Sequence, residues 1–506
     1  MHDGTSSARE AASGDDPDGL WTAGRRALTI GLILNVTIVA SEALAGGTIL
    51  PVVAGDLGGI DLYGWVFSGF FLGTLLGIVV AGMLIDQGHL SRPFLMGIGL
   101  FSLGLLIGGL APSMEVLVVG RVIQGLGAGA IPAVAYVSIA RAMPERLRPR
   151  MFATLSSAWI LPGVLGPNVA VAVTGLTNWR IVFLGLLPFI IVAAWLTLPA
   201  IRAVGASHPR EAGTDPGDSE AASAAKVAAD RRRLPLALVL VLGAGLIVSG
   251  LSNVSPAPLV LILVGLAIGV PAFARLTPPG TLRAAPGLPT AILLRGFLTF
   301  AFFCADAYVP LALQTVRQQS SFLGGLAYTS ATLTWAAASW FQAQRVQRLG
   351  PGRFLAAGFA VLFVGVAAFL LVLVPEVPAE ASVVIWGVAG IGMGLAYSTP
   401  SLVVLREASV EEQGAATAGL QLSDVLGASL GTGVGGALIA FGVRAGSPPG
   451  GPLAVTFGIS AGVAVIGLLL TRRLGRAATA SGRPPIPLAT VPTGGGPDRG
   501  HHGGVG

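Results

Sequence analysis

The sequence has few charged residues, one cysteine and one lysine, and these shortages narrow what the chain can be. Only 11% of its 506 residues are charged, against about 25% in soluble domains. Hydrophobic residues make up 53% and the mean hydropathy is +0.79, which is too much apolar surface for a soluble fold. The single Cys304 excludes an intramolecular disulfide. The sequence also lacks a G-x-x-x-x-G-K-[ST] loop, a cluster of metal ligands and a nucleophile–base arrangement, so we expect no cofactor, no metal and no enzymatic activity.

The apolar residues are grouped into runs of about 18 to 25, each long enough to cross a hydrocarbon core of about 30 Å. The 73 glycines suit this setting, because small residues let helices pack closely in membranes. The predicted fold class is therefore an all-α membrane protein with fourteen transmembrane helices. Their predicted limits are 27–51, 63–85, 94–111, 116–140, 151–175, 181–200, 234–252, 256–274, 287–313, 322–344, 354–374, 382–405, 414–441 and 452–471.

The placement of the basic residues predicts the orientation of these spans. If the N-terminus is cytoplasmic, 25 of the 30 basic residues fall in inside segments. Only Arg180, Arg317 and Arg444 fall in outside loops, and Arg121 and Arg295 fall within spans. Cytoplasmic loops of membrane proteins carry such an excess of arginine. We therefore expect both termini in the cytoplasm, and we attribute the pI near 10.2 to membrane topology and not to nucleic-acid binding.

A polar linker divides the predicted spans into six before it and eight after it. If spans 234–252 and 256–274 form an inserted hairpin, the layout is six, two and six. Paired six-helix halves around a central cavity are the layout of many secondary transporters. The predicted units are a cytoplasmic N-terminal segment (1–26), an N-terminal six-helix half (27–200), a disordered cytoplasmic linker (201–233), an inserted two-helix hairpin (234–274), a C-terminal six-helix half (287–471) and a disordered cytoplasmic tail (474–506).

Three stretches carry a resemblance to a known family. GMLIDQGHLSRP (82–93) resembles the G-x-L-x-D-R-x-G-R loop of the major facilitator superfamily, with Gln87 in place of its first arginine. VLVVGRVIQGLGAGA (116–130) is similar to its R-x-x-Q-G-x-G pattern on the fourth helix. Glu42 precedes Pro51 by nine residues, the separation of acid and proline in the first helix of its fourteen-helix drug:proton antiporters. The resemblance covers about residues 27–471 and implies a major facilitator fold with proton-coupled drug efflux.

The resemblance also implies gating residues. Asp86, at a cytoplasmic helix end, can pair with Arg92 and latch the inner gate, or it is a solvated interfacial acid. In PGVLGPNVAV (162–171), Gly166 and Pro167 match the antiporter motif of the fifth helix. The glycine-rich faces at 163–166 and in GASLGTGVGG (427–436), Gly427 and Gly431 among the latter, are expected to permit close contact between the halves. A single glycine there is equally well explained by general helix packing.

An acid at the centre of a membrane helix costs about 2.5–3.5 kcal/mol on insertion scales, so such residues usually serve function. Glu42 is such an acid, and desolvation favours its neutral form. It is interpreted either as a proton-coupling or binding group, or as an ion-pair partner of Arg121, and the two roles can coexist. Arg121, inside the fourth span, either faces inward with Gln124 or extends to the interface.

Asp306 and Asp424 are two further acids within spans, each interpreted as functional or structural. Asp306 is a pseudo-symmetric counterpart of Glu42 in the second half, with Arg295 three turns earlier as a possible partner. Four polar side chains are expected in a mostly apolar cavity: Asn35, Gln124, Tyr308 and Gln314. Trp159, Trp335 and Trp340 are interpreted as aromatic walls or as interfacial anchors.

The leading prediction is a proton-coupled exporter of amphipathic or cationic small molecules, powered by the proton gradient, in a bacterial cytoplasmic membrane. The expected partners are a small-molecule substrate, protons and membrane lipid, with no nucleic acid, and the chain is expected to work as a monomer. Three alternatives stay open: export of an endogenous lipid or metabolite, uptake by proton symport, and a non-transporting membrane receptor or partner subunit.

Overall fold

A computed structural model describes residues 19–88, 90–207, 218–252, 257–409 and 412–474, and within them all regular structure is helical. Most of the predicted N-terminal segment and nearly all of the predicted tail lie outside these ranges. The N-terminal half contains α1 (Ala23–Leu57), α2 (Tyr63–Asp86), α3 (Ser91–Gly109), α4 (Met114–Ala142), α5 (Arg148–Ser157), α6 (Ile160–Leu176), α7 (Trp179–Leu184) and α8 (Leu187–Ser207).

The middle of the chain forms α9 (Asp218–Leu251) and α10 (Ala257–Leu276). The C-terminal half contains α11 (Leu288–Asp306), α12 (Val309–Leu311), α13 (Ser321–Leu349), α14 (Pro351–Val372), α15 (Ala381–Ala396), α16 (Thr399–Glu407), α17 (Gln413–Arg444) and α18 (Gly450–Leu470). A short π-helical turn, Ala312–Val316, follows α12. Helices dominate because, in lipid, each backbone polar group has to be satisfied within its own segment.

Four predicted spans are each divided into two helices, and a proline accounts for each division. In each case the second helix has a proline in its first turn: Pro162 in α6, Pro188 in α8, Pro310 in α12 and Pro400 in α16. Proline is tolerated in a first turn, where its missing N–H has no intrahelical partner, but it ends the preceding hydrogen-bond ladder. The sequence therefore encodes bends in the fifth, sixth, ninth and twelfth spans.

Thirteen helical segments in the described residues are long and apolar enough to cross a membrane. They correspond to every predicted span except the tenth, 322–344. That span is present as the 29-residue helix α13, but its serines, threonines and glutamines make it less apolar. These polar side chains contact protein on two sides: Thr329 and Thr332 face α6 of the other half, whereas Thr334, Ser339 and Gln342 face α15 and α16. The all-α membrane fold is confirmed, and the count of fourteen membrane helices stays a prediction.

The two halves meet along two helix pairs, α2 with α17 and α6 with α13. Within the N-terminal half the strongest packing joins α2 and α3 to α4, and within the C-terminal half it joins α13 to α15 and α11 to α17. The hairpin α9–α10 packs mainly on itself, and α9 also contacts α2 and α17. The inserted hairpin therefore lies against the α2–α17 contact and leaves the α6–α13 contact to the two halves alone.

The contact between the halves is closed at the end where α2 begins, which the sequence predicts to be the outer end. Tyr63, fully buried at the start of α2, donates a hydrogen bond to the carbonyl of Ala307, 3.3 Å away. Asp61 pairs with Arg444 across the halves at 3.3 Å. A Cβ atom built on Gly64 would lie 2.5 Å from the Cα of Gly436, so the two backbones touch there. No side chain larger than hydrogen fits at Gly64 without moving α17.

The linker differs from its prediction. Residues 201–207 continue α8, and α9 begins at Asp218, sixteen residues before the predicted start of the seventh span. The expectation of an unstructured segment is therefore wrong for residues 218–233. The reason is local: the stretch EAASAAKVAAD is rich in alanine, the strongest helix former, and contains neither glycine nor proline. Residues 208–217 lie outside the described part of the chain.

Candidate functional site

The site around Glu42 begins with glycines that bring α2 and α4 together. A Cβ atom on Gly73 would lie 2.2 Å from the carbonyl oxygen of Val122, and one on Gly125 would lie 2.0 Å from that of Phe70. The helices are thus in backbone contact, as small residues permit in membranes. Arg121, one turn before Gly125, is held against α2 in consequence.

Arg121 joins three helices. Its Nη1 forms an ion pair with Oε1 of Glu42 on α1, and its Nε donates to the carbonyl of Val66 on α2 at 3.2 Å. Its guanidinium also lies 4.4 Å from the ring centre of Phe70. Both charged side chains are almost fully buried, with 6% of Arg121 and 2% of Glu42 exposed. The ion-pair interpretation of Glu42 is confirmed, and Arg121 faces inward.

The hydrogen bonding of this cluster is incomplete. Oε1 of Gln124 accepts from Nη1 of Arg121 at 2.7 Å. The second carboxylate oxygen of Glu42, Oε2, and the amide nitrogen of Gln124 are buried and have no partner among the described residues. Buried polar groups are nearly always hydrogen-bonded, and an exception calls for an explanation. Glu42 therefore has one oxygen held by Arg121 and one without a partner among the described residues.

The C-terminal half holds a second buried ion pair. Arg295 donates from Nε to Oδ1 of Asp424 at 2.7 Å and from Nη2 to Oδ2 at 3.3 Å, a two-pronged contact. Tyr397 adds a hydrogen bond from its hydroxyl to Oδ2 of Asp424 at 3.1 Å. The Arg295 guanidinium also donates to the Tyr397 carbonyl and stacks 3.3 Å from the centre of that ring. This cluster joins α11, α17 and the junction of α15 with α16.

The suggested pairing of Asp306 with Arg295 is wrong. Eleven residues separate them on α11, about 16 Å along the axis, and Arg295 is directed toward α17. Oδ1 of Asp306 accepts instead from Nε1 of Trp386 at 3.1 Å. Its backbone carbonyl accepts from the hydroxyl of Tyr328 at 2.7 Å. Within the described part of the chain no cationic side chain pairs with Asp306, which is half-buried.

The four predicted cavity residues do not share one location. Gln124 belongs to the Glu42 cluster. Asn35 is buried and donates to Thr197 at 2.9 Å, so that it fixes α1 to α8. Tyr308 is fully buried between the halves, where its hydroxyl donates to the carbonyl of Thr432. Gln314 lies in the π-helical turn, with its amide nitrogen buried and without a described partner. Asn35 and Tyr308 are therefore packing residues in this structure.

Two of the predicted gating glycines face their own half. A Cβ atom on Gly427 would lie 2.2 Å from the carbonyl of Gly296, and one on Gly431 would lie 2.6 Å from that of Phe300, both on α11. Each residue turns an α-helix by about 100°, so the face of α17 toward α2 carries other positions. These are Gly433, near Ser68, and Gly436. The expectation that Gly427 and Gly431 form the contact between halves is wrong.

The other predicted contact between the halves, on α6, is present close to its predicted position. Asn168 donates to Thr329 of α13 at 3.1 Å, and a Cβ atom on Gly163 would lie 2.0 Å from Thr332. Pro167 is buried at this contact. Gly166 faces α1, with the carbonyl of Ser41 3.8 Å from the position of a Cβ atom.

Asp86 and Arg92 lie where the sequence places them. Asp86 is the last residue of α2, Arg92 lies in the first turn of α3, and both are exposed. Their role as a latch stays a prediction.

Sequence reasoning missed the serine pair at the α2–α17 contact and the aromatic partners of the acids. Ser68 donates to the carbonyl of Ser429 at 2.6 Å, and Ser429 donates back to the carbonyl of Ser68 at 3.2 Å. The signal for Ser68 was its spacing of four from Gly64, a small-xxx-small pattern typical of close membrane helices. Trp386 and Tyr397 gave no comparable signal, since their partners are distant in sequence.

A helical bundle of this size, with thirteen described segments able to span a membrane and two halves in contact, is typical of a multi-pass membrane protein. Residues 31–405 match the Major Facilitator Superfamily, and the chain belongs to that family.

Similar proteins agree with this assignment. The chain is 28% identical over 484 residues to a Mycobacterium tuberculosis protein named as an uncharacterized MFS-type transporter, with 92% of this chain and 63% of that protein covered. The chain thus spans under two thirds of that relative. It is 25% identical over 422 residues to a probable multidrug-efflux transporter of the same organism, with 80% and 86% covered. Among solved structures, a POT family transporter superposes with a TM-score of 0.64 at 13% identity, covering 90% of this chain and 98% of that chain.

Proposed function

We propose that the chain is a proton-coupled exporter of amphipathic or cationic small molecules, of the fourteen-helix drug:proton antiporter type. The observation that carries this proposal is the buried Glu42–Arg121 pair, in which one carboxylate oxygen has no partner in the described structure. A charged acid inside a membrane domain costs free energy, and acids in such positions usually serve function. The name of one relative, a probable multidrug-efflux transporter, supports the class of substrate.

Proton coupling follows from the charge balance of the pair. With Glu42 ionised, the pair is neutral, and Arg121 ties α1 to α2 and α4. A proton on the free oxygen Oε2 removes the negative charge, so the attraction that holds α1 to Arg121 weakens. Arg121 keeps its bonds to Val66 and Gln124, and therefore stays with α2 and α4. Protonation would thus loosen one helix selectively.

This loosening can reach the outer contact of the halves. Val66, which accepts from Arg121, lies on α2 between Gly64 and Ser68, the positions that touch α17. A change in the contacts of Arg121 with α1 and α2 would therefore act on the contact between α2 and α17. The energy available from inward movement of one proton is about 2.3 kcal/mol per 100 mV, in addition to the pH gradient.

The same proposal includes location and assembly. Arginine is concentrated in the predicted cytoplasmic loops, which supports a cytoplasmic membrane with both termini inside. Substrate, protons and lipid are the proposed partners of a monomer, and no cofactor or chemical step is needed, since the proton gradient supplies the energy.

The test is transport of ethidium by proteoliposomes under an imposed pH gradient. Wild-type protein should accumulate ethidium against its own gradient, and Glu42→Gln should abolish this movement. The matched control is Asp56→Asn, an acid on the same helix whose side chain is 50% exposed and pairs with Arg180 outside the site. It should transport like wild type.

Each other result has a definite meaning. Equal transport by wild type and Glu42→Gln would show that Glu42 is structural. No transport by wild type would contradict efflux of cationic compounds and would direct the search to endogenous lipids or metabolites. Movement of substrate with the protons, and not against them, would identify uptake by symport.

A further inference from the structure

The side chain of Arg444 joins the inserted hairpin α9–α10 to both halves. Arg444 is the last residue of α17, and its Nη1 donates to the carbonyl of Ser252, directly after the end of α9. Its Nη2 donates to Oδ2 of Asp61, in the turn before α2, at 3.3 Å. The C-terminal end of a helix favours a cation, so the end of α9 and Asp61 both attract the same guanidinium.

A second three-way contact lies one turn before Ser252 on α9. Val248 is 1% exposed, and a Cβ atom on Gly433 of α17 would lie 2.4 Å from its Cγ2. The same Cβ atom would lie 2.8 Å from Oγ of Ser68 on α2. Trp65 of α2 also reaches α9, where it lies 3.8 Å from the position of a Cβ atom on Gly245. Val248 is therefore packed where α2, α9 and α17 meet.

An apolar cluster extends these contacts deeper into the bundle. It consists of buried side chains from α2, α9, α10 and α17: Leu75, Ala237, Leu240, Ala272, Phe273 and Leu422. Leu240 precedes Ser252 by twelve residues, about 18 Å along the helix axis. The hairpin thus touches both helices of the α2–α17 contact at three depths, and α2 cannot part from α17 without breaking some of this packing.

We propose that the hairpin stabilises the closed form of the α2–α17 contact, with Arg444 as the residue that joins it to both halves. In transporters of this fold one half rocks against the other, so α2 has to part from α17 at one stage of the cycle. Contacts that exist only in the closed form shift the population toward it. The inference goes beyond the proposed function and depends neither on proton coupling nor on the substrate.

The reactivity of a buried cysteine toward a maleimide measures opening of this contact in purified full-length protein in detergent. The reporter is Ser429→Cys, at a position between α2 and α17 with no exposed surface in the closed form. The native Cys304 is also fully buried, but within the C-terminal half, where its Sγ contacts the carbonyl of Thr456. Its reactivity in the same variants without the reporter therefore detects unfolding.

A matched pair of substitutions on α9 tests the role of the hairpin. Val248→Ala should raise the labelling rate of Ser429→Cys at least about threefold, because it removes packing where three helices meet. Val239→Ala makes the same change at a position that is 36% exposed, and its rate should stay within about twofold of the parent. Equal rates for the two variants would overturn the role of the hairpin.

A second pair tests the role of Arg444. Asp61→Asn removes the ion pair between the halves and should raise the labelling rate about two- to fivefold, as expected for a partly exposed pair. Arg444→Met also removes the contact with Ser252 and should raise the rate further. Equal rates for these two variants would show that the hairpin takes no part through Arg444.

The remaining outcomes are also decisive. No increase in any variant would overturn the inference, because closure would then depend on the two halves alone. If Cys304 reacts in Val248→Ala, that variant has unfolded, and the surface changes at Asp61 and Arg444 provide the test. If Ser429→Cys does not fold, Ser68→Cys, fully buried on the other side of the contact, replaces it as the reporter. Failure of ethidium transport would refute the proposed function and leave these labelling results unaffected.

Discussion

The two buried ion pairs of this protein look alike but differ in completeness. Glu42–Arg121 lies in the N-terminal half, and Asp424–Arg295 lies in the C-terminal half. Each arginine follows the start of its helix by seven residues, about 10 Å, and the predicted orientation places the first pair toward the outside and the second toward the cytoplasm. At Asp424 both oxygens are engaged and 14% of the side chain is exposed, whereas Glu42 is 2% exposed with one oxygen unpartnered.

This difference is the basis of the roles proposed for the two pairs. Each carboxylate oxygen has two lone pairs, so the hydrogen bonds of Asp424 do not by themselves exclude a proton there. A proton on Oε2 of Glu42 would disturb no hydrogen bond of the described residues, which is why Glu42 is the proposed coupling group.

The largest effect is expected from Arg121→Ala. The change leaves Glu42 buried without a counter-charge, and loss of one partner of a buried pair typically costs about 3–5 kcal/mol. We expect a clearly lowered thermal unfolding midpoint in detergent and no transport. The double variant Arg121→Ala, Glu42→Gln should recover much of the stability but none of the coupling. A double variant as unstable as Arg121→Ala would show that Arg121 stabilises the fold by packing and not by charge.

Asp424→Asn should have a smaller effect, and of a different kind. The asparagine oxygen can still accept from Arg295, so we expect destabilisation of about 1–3 kcal/mol. Ethidium transport driven by a pH gradient should persist at a reduced rate, in contrast to Glu42→Gln. The paired measurement compares the transport of both variants at equal amounts of folded protein. Loss of coupling in Asp424→Asn with normal stability would reverse the assignment of the two pairs.

Gln124→Leu tests the third member of the Glu42 cluster. It removes the oxygen that accepts from Arg121 at 2.7 Å, and a hydrogen bond to a charged group contributes about 1.5–3 kcal/mol. Because Arg121 then depends more on Glu42, transport should need a larger pH gradient to reach the wild-type rate. Transport rates measured over a series of imposed pH gradients determine this shift. An unchanged series would exclude Gln124 from coupling.

Tyr397→Phe should give the smallest effect. It removes the hydroxyl that donates to Asp424 at 3.1 Å but keeps the ring under Arg295. The expected loss is about 1 kcal/mol of stability, with coupling unaffected. Thermal unfolding and ethidium transport of the same sample check both parts. A coupling defect here, with stability retained, would imply that the inner pair takes part in proton transfer.

Much of the architecture was predictable because the membrane restricts the choices. Long apolar runs in a membrane have to be helices, and the excess of arginine in alternate loops predicts the orientation of the spans. The acids stand out in such a background, so Glu42, Asp306 and Asp424 were all identified. The Glu42–Arg121 pair was foreseen because both charges lie toward the outer end of their spans.

Helix rotation and distant partners were not predictable. Gly427 and Gly433 are six residues apart on one helix, yet one faces its own half and the other faces Ser68 across the interface. The sequence records that α17 is rich in glycine but not which face meets α2. Likewise Arg295 pairs with an acid 129 residues away and not with Asp306 on its own helix.

The sequence by itself determined that the chain is a helical membrane protein, where its helices bend, and which ionisable residues are placed in the membrane. These follow from local rules: hydropathy, proline geometry and the energy of a charge in lipid. The tertiary structure decided which acids pair with an arginine, which of them has a carboxylate oxygen without a described partner, and which acid accepts instead from Trp386. That distribution depends on three-dimensional packing, because a charge in a membrane protein is defined by the partners that other helices bring to it.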